Sequence, residues 1–103
     1  MSKDSMDAES IYNQACELTS KADNANALLL YKQLVEAKED ARFFIAYGVC
    51  LQKLGHWKQS ILPLEKGIDL KPHYCEGDAR LVLAESYLNA GYKSKAIAQW
   101  KLV

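Results

Sequence analysis

The sequence predicts an all-α protein of three stacked helix–turn–helix units. Small residues recur in register at Ala15, Gly48 and Ala84, and again at Ala27, Ser60 and Ala96. Large apolar residues keep the same register at Leu18, Leu51 and Tyr87, and at Tyr31, Leu64 and Trp100. The offsets between units are 33 residues (Ala15 to Gly48) and 36 (Gly48 to Ala84), the spacing expected of repeated supersecondary units.

Each element then follows in order. In the first unit Ile11, Ala15 and Leu18 fall at helical spacing, which predicts helices over 8–20 and 24–37. In the second unit Phe44, Tyr47, Gly48 and Leu51 share one helical face, predicting helices over 41–54 and 58–70. Asp40 is suited to cap the first of these, because its carboxylate accepts from backbone N–H groups that have no partner inside the helix. Gly55 ends that helix, since glycine takes up a left-handed cap at little cost. Lys71-Pro72 stops the second, because proline disfavours helix at the residue before it. The third unit gives helices over 76–90 and 94–103, with Gly91 at the turn. The small residues Ala15, Gly48 and Ala84 meet Ala27, Ser60 and Ala96 from the partner helix, which permits close approach. Residues 1–7 read as a disordered tail, and 8–103 as one domain with repeats at 8–40, 41–74 and 77–103.

Four residues depart from the pattern. Set against the tetratricopeptide repeat, which this register resembles, Gln14 stands where a large apolar residue is usual and Arg80 where tryptophan is usual. Gln14 predicts a looser first repeat, and Arg80 is expected to lay its stem on the core with its charge in water. Pro63 removes a backbone donor inside its helix and should bend it. Gly67 should weaken the same helix by about 1 kcal/mol.

The register resembles the tetratricopeptide repeat, whose period is about 34 residues. Phe44, Tyr47-Gly48, Leu51, Gly55, Trp57, Leu64 and Pro72 carry the best match. The resemblance implies a right-handed superhelical stack whose first helices line a concave groove. Residues offset from the core face by three- and four-residue steps would then face that groove. They form a charged row (Glu9, Arg42, Asp78) and an apolar row (Tyr12, Ile45, Leu81). Two mixed rows follow (Cys16, Val49, Glu85, then Thr19, Gln52, Leu88). The groove positions Tyr12, Cys16, Ala46, Asp78 and Val82 lack the lysines, asparagines and arginine of the carboxylate clamp in heat-shock co-chaperones, so that activity is not implied. A second resemblance runs through Asp40-Ala41-Arg42-Phe43-Phe44, Gly48-Val49-Cys50 and Gly55. It is similar to the middle repeat of type III secretion translocator chaperones, which hold an extended segment of a secreted protein in the groove.

Composition and chemistry narrow the function. Thirteen basic residues balance thirteen acidic ones without a basic cluster, which argues against nucleic-acid binding. No apolar run approaches the ~20 residues of a membrane span. Cys16, Cys50 and Cys75 are odd in number and widely spaced, as reduced thiols of a cytoplasmic protein are. The only histidines are His56, beside Gly55 in a turn, and His73 after Pro72. They supply neither a catalytic constellation nor a set of three or four metal ligands, so neither an enzyme, a cofactor nor a metal is expected.

The expected function is therefore a scaffold that binds a peptide or helix of another protein through an apolar surface. A secretion chaperone is one alternative, and a repeat segment of a larger enzyme or regulator is another. The groove could also be filled by a terminal helix of the same chain. The final helix carries Ile97 and Trp100, expected to pack inward on Leu83, Ala84 and Tyr87, and no polar capping run follows it. Because repeat stacks cover their ends, further chain or self-association through this helix is expected.

Overall fold

The computed structural model describes residues 7–70 and 76–103, with Glu76 described by its backbone alone. Six helices follow one another: α1 (Ala8–Ser20), α2 (Asn24–Ala37), α3 (Ala41–Lys53), α4 (Trp57–Asp69), α5 (Glu76–Asn89) and α6 (Lys93–Lys101). No strand occurs among the described residues. The helices pair as α1–α2, α3–α4 and α5–α6, and the pairs stack in sequence order. The molecule is accordingly elongated, at 50 × 26 × 20 Å. Pro72, His73 and Cys75, expected in the linker before α5, lie outside the described residues.

Local chemistry fixes the helix ends. Aspartates cap the first three helices: Asp7 accepts from the N–H of Ser10 at 2.8 Å, Asp23 from Asn26 at 3.4 Å and Asp40 from Arg42 at 2.9 Å. Asp7, expected in the tail, is thus part of the folded unit. Within each repeat the chain reverses through a residue with positive φ: Ala22 (62°), Gly55 (83°) and Gly91 (95°). The same hydrogen bond closes each turn: Asp23 N–H to Leu18 C=O at 2.8 Å, His56 to Leu51 at 2.9 Å, and Tyr92 to Tyr87 at 2.7 Å. Pro63 lies inside α4, which continues past it to Asp69.

Packing departs from the expectation at several residues. The phenylalanine buried between the first two repeats is Phe43, together with Tyr31 and Leu34, whereas Phe44 is only half-buried. The α3–α4 contact holds two reciprocal close approaches. A Cβ on Gly48 would lie 2.5 Å from Leu64 Cγ, and a Cβ on Gly67 would lie 2.6 Å from Ile45 Cγ1. Gly67 is therefore a packing residue that lets Ile45 sit against α4, and its cost in helix propensity is offset by that approach. A buried polar cluster joins the second and third repeats. Ser60 Oγ and Ser86 Oγ are 2.6 Å apart, and Gln52 Nε2 donates to Ser86 Oγ at 2.7 Å and to the Val82 carbonyl at 2.9 Å. Arg80 is half-buried and does not merely extend its charge into water: its guanidinium donates to Gln99 Oε1 at 3.0 Å, tying α5 to α6.

The two ends of the stack differ in chemistry. At the α1 end, Ser10, Gln14 and Glu17 occupy the register positions of Phe43, Tyr47 and Cys50, and all three are exposed. Gln14, the departure expected to loosen the first repeat, is exposed on α1. At the α6 end, Ile97 and Trp100 do not pack inward as expected; they are 38% and 45% exposed. In the earlier repeats Tyr31 and Leu64, the equivalents of Trp100, are buried. Among the described residues no helix is long and apolar enough to cross a membrane.

Candidate functional site

Helices α1, α2 and α3 enclose a concavity of about 250 Å³ lined by Tyr12, Thr19, Tyr31, Arg42, Ile45, Ala46, Val49 and Cys50. Its position follows from the stack. Tyr12 and Thr19 project from α1 and Arg42, Ile45, Ala46 and Val49 from α3, the first helices of adjacent repeats. Tyr31 reaches between them from α2. An aromatic wall forms where the Tyr12 ring lies 5.3 Å from Phe43 and 6.4 Å, edge-on, from Tyr31. The Tyr31 hydroxyl lies 3.2 Å from Thr19 Oγ1 and donates to Cys16 Sγ at 3.7 Å. Burial pushes the Tyr31 phenol far above its ordinary value, so it stays neutral and keeps a proton to donate. Burial likewise pushes the Cys50 thiol up, which makes it a packing group and not a nucleophile.

Arg42 sits at the rim and is occupied within the chain. It donates to Asp40 Oδ1 at 3.2 Å through Nε and to Asp40 Oδ2 at 2.9 Å, and it reaches Glu9 Oε1 at 3.3 Å. Its guanidinium carbon lies 5.2 Å from the ring centres of both Tyr12 and Phe43. The Arg42 hydrogen bonds hold the carboxyls of Asp40 and Glu9 below their ordinary values. Arg42, expected in the charged row facing the groove, is thus an internal brace that ties α1 to α3 across the first two repeats.

The other expected groove residues separate into groups. Tyr12, Thr19, Arg42, Ile45 and Val49 line the concavity, with Cys16 behind the Tyr31 hydroxyl. Ile45 also packs on Gly67 and on the second core, so it is not the solvent-facing residue its spacing suggested. Gln52 turns away into the Ser60–Ser86 cluster. Asp78, Leu81, Glu85 and Leu88 are exposed on α5 and do not line this concavity. The spacing singled out neither Tyr31 nor Cys50 as a lining residue. Tyr31 is marked in the sequence only as a large apolar residue in register, and its length is the one sign that its hydroxyl reaches beyond its ring contacts. Among the described residues no three of His, Cys, Asp and Glu come together as a metal site.

The described residues thus form a helical-repeat stack with an apolar, aromatic-walled concavity between the first helices of adjacent repeats. Solved structures share this architecture. The chain superimposes on SycD, a type III secretion translocator chaperone of Yersinia enterocolitica, with a TM-score of 0.82 at 25% identity, covering 98% of this chain and 76% of SycD. It superimposes on PcrH, solved in complex with the chaperone-binding region of PopB, with a TM-score of 0.83 at 22% identity, covering 98% and 79%. A structure of SycD with a peptide of the translocator YopD gives 0.83 at 24% identity, covering 98% and 77%. No family model and no curated protein matches the sequence.

Proposed function

We propose that this chain is a non-catalytic chaperone-type scaffold that holds an extended segment of another protein in the concavity between its first two repeats. The observation that carries the reading is the lining itself. Tyr12, Tyr31, Ile45, Ala46 and Val49 offer apolar surface, and Arg42, the one formal charge among the lining residues, is already braced by Asp40 and Glu9. Such a site recognises side-chain shape and apolar area before charge. The likeness to PcrH and SycD, both solved with translocator segments, supports a type III secretion chaperone over a general adaptor. A chaperone that holds a protein before export works where that protein is made, which fits the cytoplasmic location expected from the cysteines.

The test is fluorescence anisotropy with labelled peptides of the PopB chaperone-binding region and of YopD, alongside a scrambled peptide. Ala46→Glu and Val49→Asp should abolish binding of the native-sequence peptides, whereas Leu62→Asp, on exposed α4 surface outside the concavity, should leave it intact. Because Val49 and Ala46 also touch the two cores, circular dichroism and urea unfolding are run on all three variants, and loss of binding counts only where the fold is kept. Equal loss at Leu62 would sink the concavity as the site. If only the scrambled peptide bound, chaperone-type recognition would be excluded. Ile45→Asp is not a clean probe, because that side chain also packs on Gly67.

A further inference from the structure

The two walls of the concavity belong to helices that rest on a common floor. Helices α1 and α3 each pack along α2, and across the opening their side chains meet. The Tyr12 ring of α1 lies 5.3 Å from the Phe43 ring of α3, and the Arg42 guanidinium carbon lies 5.2 Å from both ring centres. From that position Arg42 reaches α1 with a fork. One Nη donates to Glu9 Oε1 at 3.3 Å and the other to Glu9 Oε2. A paired contact of this kind fixes orientation as well as distance, which a single point contact does not.

The guanidinium is held equally well from its own side. Asp40 accepts from Arg42 Nε at 3.2 Å and from Nη2 at 2.9 Å, while the Arg42 backbone N–H donates to the same carboxylate at 2.9 Å. Arg42 is therefore anchored to α3 along one edge and to α1 along the other. Glu9 stands outside the concavity, with its side chain 58% exposed and absent from the lining. Tyr12 follows it one turn on along the same face of α1. A pull on Glu9 is thus a pull on a wall residue that Glu9 does not itself accompany into the concavity.

Taking the concavity as the binding site proposed above, we infer that Glu9 and Arg42 are positioning residues for it. Their paired contact sets the separation of α1 and α3, and with it the hold of Tyr12, Ile45 and Val49 on apolar groups, while Glu9 touches nothing that is bound.

The test compares the parent with Glu9→Gln, Arg42→Lys and the double variant. Glu9→Gln removes the charge at an exposed position and keeps the side chain's size. Arg42→Lys keeps the charge and loses the fork. Two ligands are titrated: the labelled PopB chaperone-binding region, and the neutral dye N-phenyl-1-naphthylamine, whose concavity-bound share is the fluorescence lost in Ala46→Glu. Both should bind Glu9→Gln about three- to fivefold more weakly than the parent, the top of the range for an exposed ion pair. The double variant should bind no more weakly than Arg42→Lys alone, because both changes break one contact. The difference between parent and Glu9→Gln should vanish as salt rises to about 1 M, where the screening length is about 3 Å. Thermal melts of each variant set the titration temperature well below the midpoint, since a merely structural role would lower the midpoint and leave the affinity and salt response of folded protein unmoved. Equal affinity in parent and Glu9→Gln, additive losses in the double variant, a difference that survives high salt, or failure of both ligands to bind overturns the proposal. The two readings fail separately. Dye results as expected without PopB binding would remove the chaperone reading and uphold the positioning pair, whereas PopB bound equally by parent and Glu9→Gln would do the reverse.

Discussion

At the scale of single residues, glycine does two jobs here, and substitutions separate them. Gly48 and Gly67 have ordinary helical backbones and are needed for lack of a Cβ. An alanine at Gly48 meets Leu64 Cγ at 2.5 Å and the Ser60 carbonyl oxygen at 3.3 Å; at Gly67 it meets Ile45 Cγ1 at 2.6 Å and the Ile45 backbone nitrogen at 3.2 Å. Helix propensity alone would make Gly67→Ala stabilising by about 1 kcal/mol. Overpacking against a β-branched side chain and backbone costs about 1–3 kcal/mol, so it should win. Urea unfolding should show both Gly48→Ala and Gly67→Ala destabilised, and a stabilised Gly67→Ala would refute the close approach. Ala22 is the opposite case. It holds φ of 62° at the turn where the other repeats have Gly55 and Gly91. A left-handed conformation costs an L-residue about 1–2 kcal/mol, so Ala22→Gly should raise the urea midpoint, less glycine's larger loss of chain entropy.

At the scale of an element, the first turn of α3 does two jobs. Asp40 caps it and also accepts from the Arg42 side chain, which in turn braces Glu9 of α1. Asp40→Ala should therefore cost about 1–2 kcal/mol, at the upper end for a cap because Arg42 loses one of its two carboxylate partners as well. The pH dependence has a definite sign. The Arg42 hydrogen bond lowers the folded-state pKa of Asp40 below its ordinary 3.8. The unfolded state therefore binds the proton first as pH falls. The stabilisation is complete above the unfolded value and is lost as pH drops from there through the folded one. Acid titration followed by circular dichroism should show a shallower loss of stability below about pH 4 in Asp40→Asn than in the parent. Identical slopes would mean that the brace contributes nothing to folding.

At the scale of the whole molecule, the repeat period made the stack legible, because each small residue at a crossing constrains its neighbours at helical spacing. Ala15 with Ala27, Gly48 with Ser60 and Ala84 with Ala96 were readable as pairs, and all six are buried. The candidate site was half legible. Tyr12 and Val49 could be placed by spacing, but Gln52 could not. Neighbouring faces of a first helix look toward the groove or toward the next repeat, and only the packed stack decides which. Arg42 misled for a related reason: Asp40 caps its own helix two residues before it, but Glu9 stands on another helix. The same stacking predicts how the molecule opens. Helices α3 and α4 are covered by repeats on both sides, whereas α6 leaves Ile97 and Trp100 uncovered. Stability in a stack of this kind is a sum over neighbours, so α6 should open first and the α3–α4 hairpin last. Amide hydrogen exchange should be slowest at the centres of α3 and α4 and faster by at least about tenfold in α6, with the capped α1 between them. Peptide held in the concavity should slow exchange in α1, α2 and α3 without protecting α6, because Tyr12, Tyr31 and Val49 lie at the other end of the stack. Uniform exchange across the helices would show that the protein opens as one cooperative unit. The uncovered α6 face would then not be the weak end of the stack that its exposed side chains imply.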